Sequence, residues 1–147
     1  MKTVSIKHTY WDIAADIYFP DDFNSEKKYP AIISAHPIGS CKEQTSGSVY
    51  GAALAKAGFI VIAFDASFQG SSGGEPRYLE DPTMRVKDFS IVVDYLTTLP
   101  YVDAGRIGVG PGHCRRFGAG HFVVCLERRT KISSDRRADQ LPLPGCL

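Results

Sequence analysis

The sequence predicts an α/β fold: an N-terminal antiparallel hairpin followed by parallel strands with crossover helices. Three observations carry this. Trp11, Ile13, Ala15, Ile17 and Phe19 alternate with Asp12, Ala14, Asp16 and Tyr18, the period of two of a strand with one covered face. Phe59-Ile60-Val61-Ile62-Ala63-Phe64 is β-rich and uninterrupted, as in a parallel strand covered on both faces. Phe89, Val92, Val93 and Leu96 recur at i, i+3, i+4 and i+7, the stripe of a core-facing helix.

The elements follow in order. Val4–Thr9 pairs with the alternating strand as a hairpin. Asp21–Lys28 is polar and turn-like. Ala31–His36 follows Pro30 and reads as a short buried strand. Ser46–Ala57 suits a helix with Val49, Ala53 and Ala57 on one face, and Gly58 is a suitable stop. Phe59–Phe64 is the next strand, and Gln69–Gly74 is a loop. Asp81 then caps a helix that has Pro82 in its first turn, and Pro100 lies beyond its end. Arg106–Val109 begins a last strand. The order β-β-β-α-β-α-β implies a parallel sheet with right-handed crossovers. Ligands of such sheets bind beyond the carboxyl ends of the strands. Three segments fall there: His36–Ser40, Asp65–Gly74 and the residues after Val109.

Composition excludes several classes of function. The chain has 147 residues, 44% hydrophobic and 22% charged, which is globular and not disordered. Its longest purely apolar run, Phe59–Phe64, is too short to span a bilayer. Residues Met1–His8 lack the apolar stretch of a secretory signal, so the expectation is a cytoplasmic protein without a membrane partner. A net charge of +1 gives no reason to expect nucleic acid. The four cysteines, Cys41, Cys114, Cys125 and Cys146, form no C-x-x-C pair. They read as free thiols with no metal.

The average conceals a break. Residues 1–109 hold 10 Lys+Arg and 13 Asp+Glu, whereas residues 110–147 hold 7 and 3. All six arginines after the break come in pairs, at 115–116, 128–129 and 136–137, and three of the four cysteines lie there too.

The segments at the strand ends carry a resemblance. His36-Pro37-Ile38-Gly39-Ser40-Cys41-Lys42-Glu43-Gln44 resembles the oxyanion loop of α/β-hydrolases of the dienelactone-hydrolase and Xaa-Pro-peptidase-like group. The stretch Phe64–Arg77, containing Asp65-Ala66-Ser67-Phe68-Gln69-Gly70-Ser71-Ser72-Gly73-Gly74, is similar to that group's loop after the next strand. Tyr78–Pro82 and Tyr101–Val109 continue the likeness, which covers residues 1–109. It implies a partial α/β-hydrolase fold. It also implies hydrolysis of an ester, lactone or amide of a small-molecule acyl substrate, through a Ser or Cys nucleophile and an acyl-enzyme, without a cofactor.

The resemblance also assigns roles. Pro37 has no N–H, so the oxyanion donor is the backbone N–H of Ile38, with Gly39 next and His36 orienting the loop. A hydrogen-bonded histidine at a strand end is the plain alternative for His36. Gly70–Gly74 lacks the Gly-Lys-Ser/Thr of a phosphate cradle and reads as a surface loop. Asp65, read from the residue itself, either lines the cleft or, the favoured reading, caps that loop with backbone hydrogen bonds. In the family, Arg-Ile-Gly-Val runs into a Gly-x-Ser-x-Gly or Gly-x-Cys-x-Gly elbow, which needs small residues on either side of the nucleophile. Here the sequence reads Gly110-Pro111-Gly112-His113-Cys114-Arg115-Arg116. Cys114 is the candidate nucleophile, but Arg116 stands where a small residue belongs. No Gly-x-Ser-x-Gly follows Val109, and the family's later acid and histidine have no counterpart.

A frameshifted reading of residues 110–147 accounts for the break, because permitted codons for His113–Arg116 read one nucleotide over allow Ile-Ala-Gly-Gly. The expectation is therefore an inactive N-terminal half of a hydrolase, residues 1–109, followed by a poorly ordered basic tail. Its sheet would self-associate through an exposed edge. The alternative is a non-enzymatic binding or interaction protein that uses the cleft or the Arg-rich tail.

Overall fold

The structure, a computed structural model, describes residues 1–110. It contains a five-stranded mixed sheet: β1 (Lys2–Lys7), β2 (Asp12–Tyr18), β3 (Tyr29–Ala35), β4 (Ile60–Phe64) and β5 (Val102–Val109), in the order β1-β2-β4-β3-β5. β1 pairs with β2, and β2 with β4, antiparallel; β4 and β5 flank β3 in parallel. Ala31–Ala35 lies against Ile60–Phe64 in parallel register, as expected.

Several strand boundaries differ from expectation, and three of the differences have a local reason. The first strand ends at Lys7 and not at Thr9, because His8 N–H closes a turn onto the Trp11 carbonyl at 3.0 Å. β3 starts at Tyr29, with a register shift between Tyr29 and Ala31, where Pro30 has no N–H for the ladder. β5 begins at Val102, four residues before Arg106. Val102 is buried opposite Tyr29 and carries the strand backwards.

Alternation along the strands sorts side chains onto two unlike faces. One face is aliphatic and aromatic: Ile13, Ala15 and Ile17 of β2, Ala31 and Ile33 of β3, and Ile60, Ile62 and Phe64 of β4. Helix α2 (Pro82–Thr98) covers it with Phe89, Val92, Val93 and Leu96, the four residues that the periodicity singles out. The ring of Phe89 meets Phe64 edge-on, with centroids 5.2 Å apart. Burying each such side chain contributes about 1.5–3 kcal/mol. Asp81 caps α2, its carboxylate accepting from the N–H groups of Thr83 and Met84 at 2.9 and 3.2 Å.

The opposite face is smaller and more polar, with Asp16 and Tyr18 of β2, Ser34 of β3 and Ala63 of β4. It lies under a π-helical turn, Thr45–Gly51, that continues into helix α1 (Ala52–Lys56). The expected apolar face of this helix is not the buried one: Val49 is 55% exposed, and Ala53 and Ala57 are exposed as well. The buried positions are Ser46, Gly47, Gly51 and Ala55. Contact here is so close that only small residues fit. A Cβ on Gly47 would stand 2.1 Å from the Lys42 carbonyl oxygen and 2.7 Å from the Tyr18 hydroxyl. Under the same segment Lys42 forms a buried ion pair with Asp16 at 3.1 Å, and Ser34 Oγ donates to the Ser46 carbonyl at 2.7 Å. No helix among the described residues is long and apolar enough to cross a membrane.

Candidate active site

Parallel pairing aligns three strand ends. Ala35 lies opposite Phe64, and Ile33 opposite Val109. Gly110 N–H then donates to the Ile33 carbonyl at 2.8 Å, so the chain leaves β5 beside the end of β3. Because β2 runs antiparallel to β4, the hairpin tip His8–Trp11 lies at this same end. The loops after β3 and β4 therefore share one rim with the residues that follow β5.

His36 stands at the end of β3 and is 2% exposed. Its Nε2 accepts from the Ala66 N–H at 3.0 Å, and its Nδ1 lies 2.7 Å from the Pro37 carbonyl. A carbonyl only accepts and an amide N–H only donates, so the ring is neutral with its proton on Nδ1. Burial holds its pKa below the ordinary histidine value, against the opposing pull of the Pro37 carbonyl. With both nitrogens occupied, His36 joins two loops and has no nitrogen left to exchange a proton with a substrate.

Asp65 performs the loop-capping role expected of it. It is fully buried; Oδ1 accepts from Lys42 N–H at 2.7 Å and Oδ2 from Ser71 N–H at 2.8 Å. One carboxylate thus ties the loop after β3 to the loop after β4. Gly70, at φ +48°, packs against it, and a Cβ there would lie 2.3 Å from the carboxyl carbon. Behind this loop, Asp88 on α2 accepts from both the N–H and the hydroxyl of Ser67, at 2.8 and 2.6 Å. Burial raises the Asp88 pKa, although these two hydrogen bonds oppose the rise. Trp11 Nε1 donates to Ser67 Oγ at 2.9 Å and fastens the hairpin tip to the same loop.

The two expected oxyanion donors have different surroundings. Gly39 N–H already donates to Glu80 Oε1 at 3.3 Å. Ile38 is 54% exposed, and its N–H has no hydrogen-bond partner among the described residues. Gly39 is thus a poorer second donor than its position in the loop suggests, because a carboxylate has claimed it.

Composition gave no sign of the residues around this loop. Arg85, on the first turns of α2, donates from Nη1 to the His36 carbonyl at 2.9 Å and from Nη2 to Glu80 Oε2 at 3.1 Å. Gln69 Nε2 donates to Glu80 Oε1 and to the Leu79 carbonyl, each at 3.2 Å. In the sequence Glu80 is only a carboxylate next to a helix cap. What gives it a role is a tertiary contact 41 residues away. Cys114, the paired arginines and the proposed frameshift lie outside the described residues.

Comparison with known proteins places this arrangement. The profile of the X-Pro dipeptidyl-peptidase (S15) family matches residues 11–110. The uncharacterized protein YcjY of Escherichia coli (strain K12) is 50% identical over 119 residues, 81% of this chain and 38% of that protein. The crystal structure of hypothetical protein PA2218 from Pseudomonas aeruginosa superposes with a TM-score of 0.68 at 40% identity, covering 74% of this chain and 33% of that one. A thiohydrolase of Aspergillus aculeatus is 28% identical over 113 residues, 73% of this chain and 33% of its own length. The chain thus spans only about a third to two fifths of the length of the relatives it matches. The sheet and these likenesses together establish the expected partial α/β-hydrolase fold.

Proposed function

The chain belongs to the X-Pro dipeptidyl-peptidase (S15) family, and from that premise we propose that residues 1–110 are the oxyanion-loop portion of an acyl hydrolase acting on esters, thioesters, lactones or amides. The observation that supports this reading is the N–H of Ile38, which has no hydrogen-bond partner among the described residues. It stands at the carboxyl end of β3, on a loop fixed by His36, one strand from where the chain leaves β5. When a nucleophile attacks a carbonyl, negative charge develops on the carbonyl oxygen. A fixed donor that meets this charge lowers the barrier more than it aids ground-state binding. An intact elbow supplies the second donor from the N–H after the nucleophile. The name of one relative, a thiohydrolase, is likewise that of a hydrolase.

We further propose that the 147-residue chain does not itself turn substrate over, because no Gly-x-Ser-x-Gly follows Val109 and Arg116 stands two residues after Cys114, where the family's elbow has a small residue. Two experiments test the two parts. Purified chain should hydrolyse p-nitrophenyl acetate no faster than buffer; steady turnover abolished by a thiol reagent or by Cys114→Ala would overturn the inactive reading. A chimera joining residues 1–110 to the remainder of the Escherichia coli relative should hydrolyse acyl esters and lose that activity to a serine- or thiol-directed reagent. A folded chimera without turnover, beside an active parent, would overturn the hydrolase reading. Salt-sensitive nucleic-acid binding by the inactive chain would favour the non-enzymatic alternative.

A further inference from the structure

We propose that Glu80 and Arg85 act as a positioning pair for the oxyanion loop, fixing the direction of the Ile38 N–H by gripping the residues on either side of it. This rests on the acyl-hydrolase reading above. Arg85 holds the carbonyl of His36, two residues before Ile38. Glu80 holds the N–H of Gly39, one residue after it. The two side chains are also joined, Arg85 Nη2 to Glu80 Oε2 at 3.1 Å, so the loop is held at two points by a single charged unit. Gln69 braces Glu80 from the loop after β4.

The division of labour follows from hydrogen-bond chemistry. A planar guanidinium has donors in a fixed fork and reaches a carbonyl and a carboxylate at once. A carboxylate only accepts, so it can occupy the Gly39 N–H and leave the Ile38 N–H open. Rooting matters too. Arg85 lies one turn into α2, whose first turn is capped by Asp81, so the grip is anchored in the helix that covers the core. Pro37 adds stiffness between the two held points, because its φ is locked by its ring. A preorganised donor pays no reorganisation cost when charge develops on the substrate, which is the advantage such a clamp confers.

The test uses the full-length ¹⁵N-labelled chain, with Glu80→Ala, Glu80→Gln and Arg85→Lys. Nuclear magnetic resonance supplies two readings: amide exchange rates, and the residual dipolar coupling of Ile38, which reports the direction of its N–H. With Glu80→Ala or Arg85→Lys, the Gly39 and Ser40 amides should exchange about tenfold faster or more, the protection expected from one charge-assisted hydrogen bond. The exchange of Ile62 and Val92 should not change, and the Ile38 coupling should shrink towards its averaged value. Glu80→Gln keeps an acceptor for Gly39 and loses the charge, so its effect should be smaller. The lysine should fail to rescue, because an ammonium lacks the fork. Unchanged Gly39 exchange and an unchanged Ile38 coupling in both Glu80→Ala and Arg85→Lys would overturn the proposal. So would equal acceleration of every amide including Ile62, since that is a loss of overall stability. None of these readings depends on turnover, so the clamp can fail while the chimera is active, and the reverse.

Discussion

His36 makes its contact with the second loop only while its ring is neutral. A proton on Nε2 would meet the Ala66 N–H with a second donor, and burial already disfavours that charge. The folded pKa therefore lies below the unfolded value of 6.5. At acid pH the unfolded chain binds the proton more readily. The stabilisation from His36 is then complete above that value and is lost as pH falls through the folded pKa. Urea unfolding at about pH 7.5 and about pH 5.5 should show a loss of stability in the native protein that is smaller in His36→Gln, which cannot titrate. Equal losses in the two would show that His36 is not the responsible group. Gly70 offers a second residue-level test. Gly70→Ala places a Cβ against the Asp65 carboxylate and forces a side chain onto a positive φ. The cost should be about 1–3 kcal/mol, read as a fall in the urea midpoint at unchanged slope.

Among the elements, α2 depends on its cap and the α1 layer on its ion pair. Asp81→Ala removes two hydrogen bonds to the first turn of α2 and should cost about 0.5–2 kcal/mol, with Asp81→Asn close to native. Because Arg85 sits in the next turn, the same change should also loosen the loop after β3. Lys42 and Asp16 have side chains only 6% and 5% exposed. Lys42→Met strands a buried carboxylate that, among the described residues, retains only the Thr3 hydroxyl, and should cost about 3–5 kcal/mol. Adding Asp16→Leu removes the stranded charge and should recover most of that loss, measured by thermal or urea unfolding. A double variant no better than Lys42→Met would mean that the pair contributes mainly through packing.

At the scale of the whole molecule, the sheet has β1 at one edge and β5 at the other among the described residues. β1 is defended by charge, with exposed Lys2 and Lys7 at its ends. β5 has Gly105 and Gly108 along an exposed stretch and half-buried Ile107 and Val109. We expect concentration-dependent self-association through this edge, detectable by sedimentation. Gly108→Lys adds a charge where nothing lies within 4 Å of the new Cβ, and should weaken that association without unfolding the protein. A chain that remains monomeric across the concentration range would refute the open edge.

Much of this architecture is legible in the residues alone. The period-two strands, the buried run at Ile60–Phe64, the stripe on α2 and its Asp81 cap are all local patterns, and local patterns report which side of an element is covered. The resemblance at His36–Gln44 and Phe64–Arg77 likewise located the loops that share the carboxyl rim. The buried face of the α1 segment was not legible, because close approach to Tyr18 and Lys42 selected Ser46, Gly47, Gly51 and Ala55 for smallness and not for hydrophobicity. The grip of Arg85 on the His36 carbonyl, 49 residues away, was equally hidden. Periodicity encodes burial, which is a property of one element at a time. The pairing of a charge with its partner depends on which loops the sheet order brings together, and that only the tertiary structure decides.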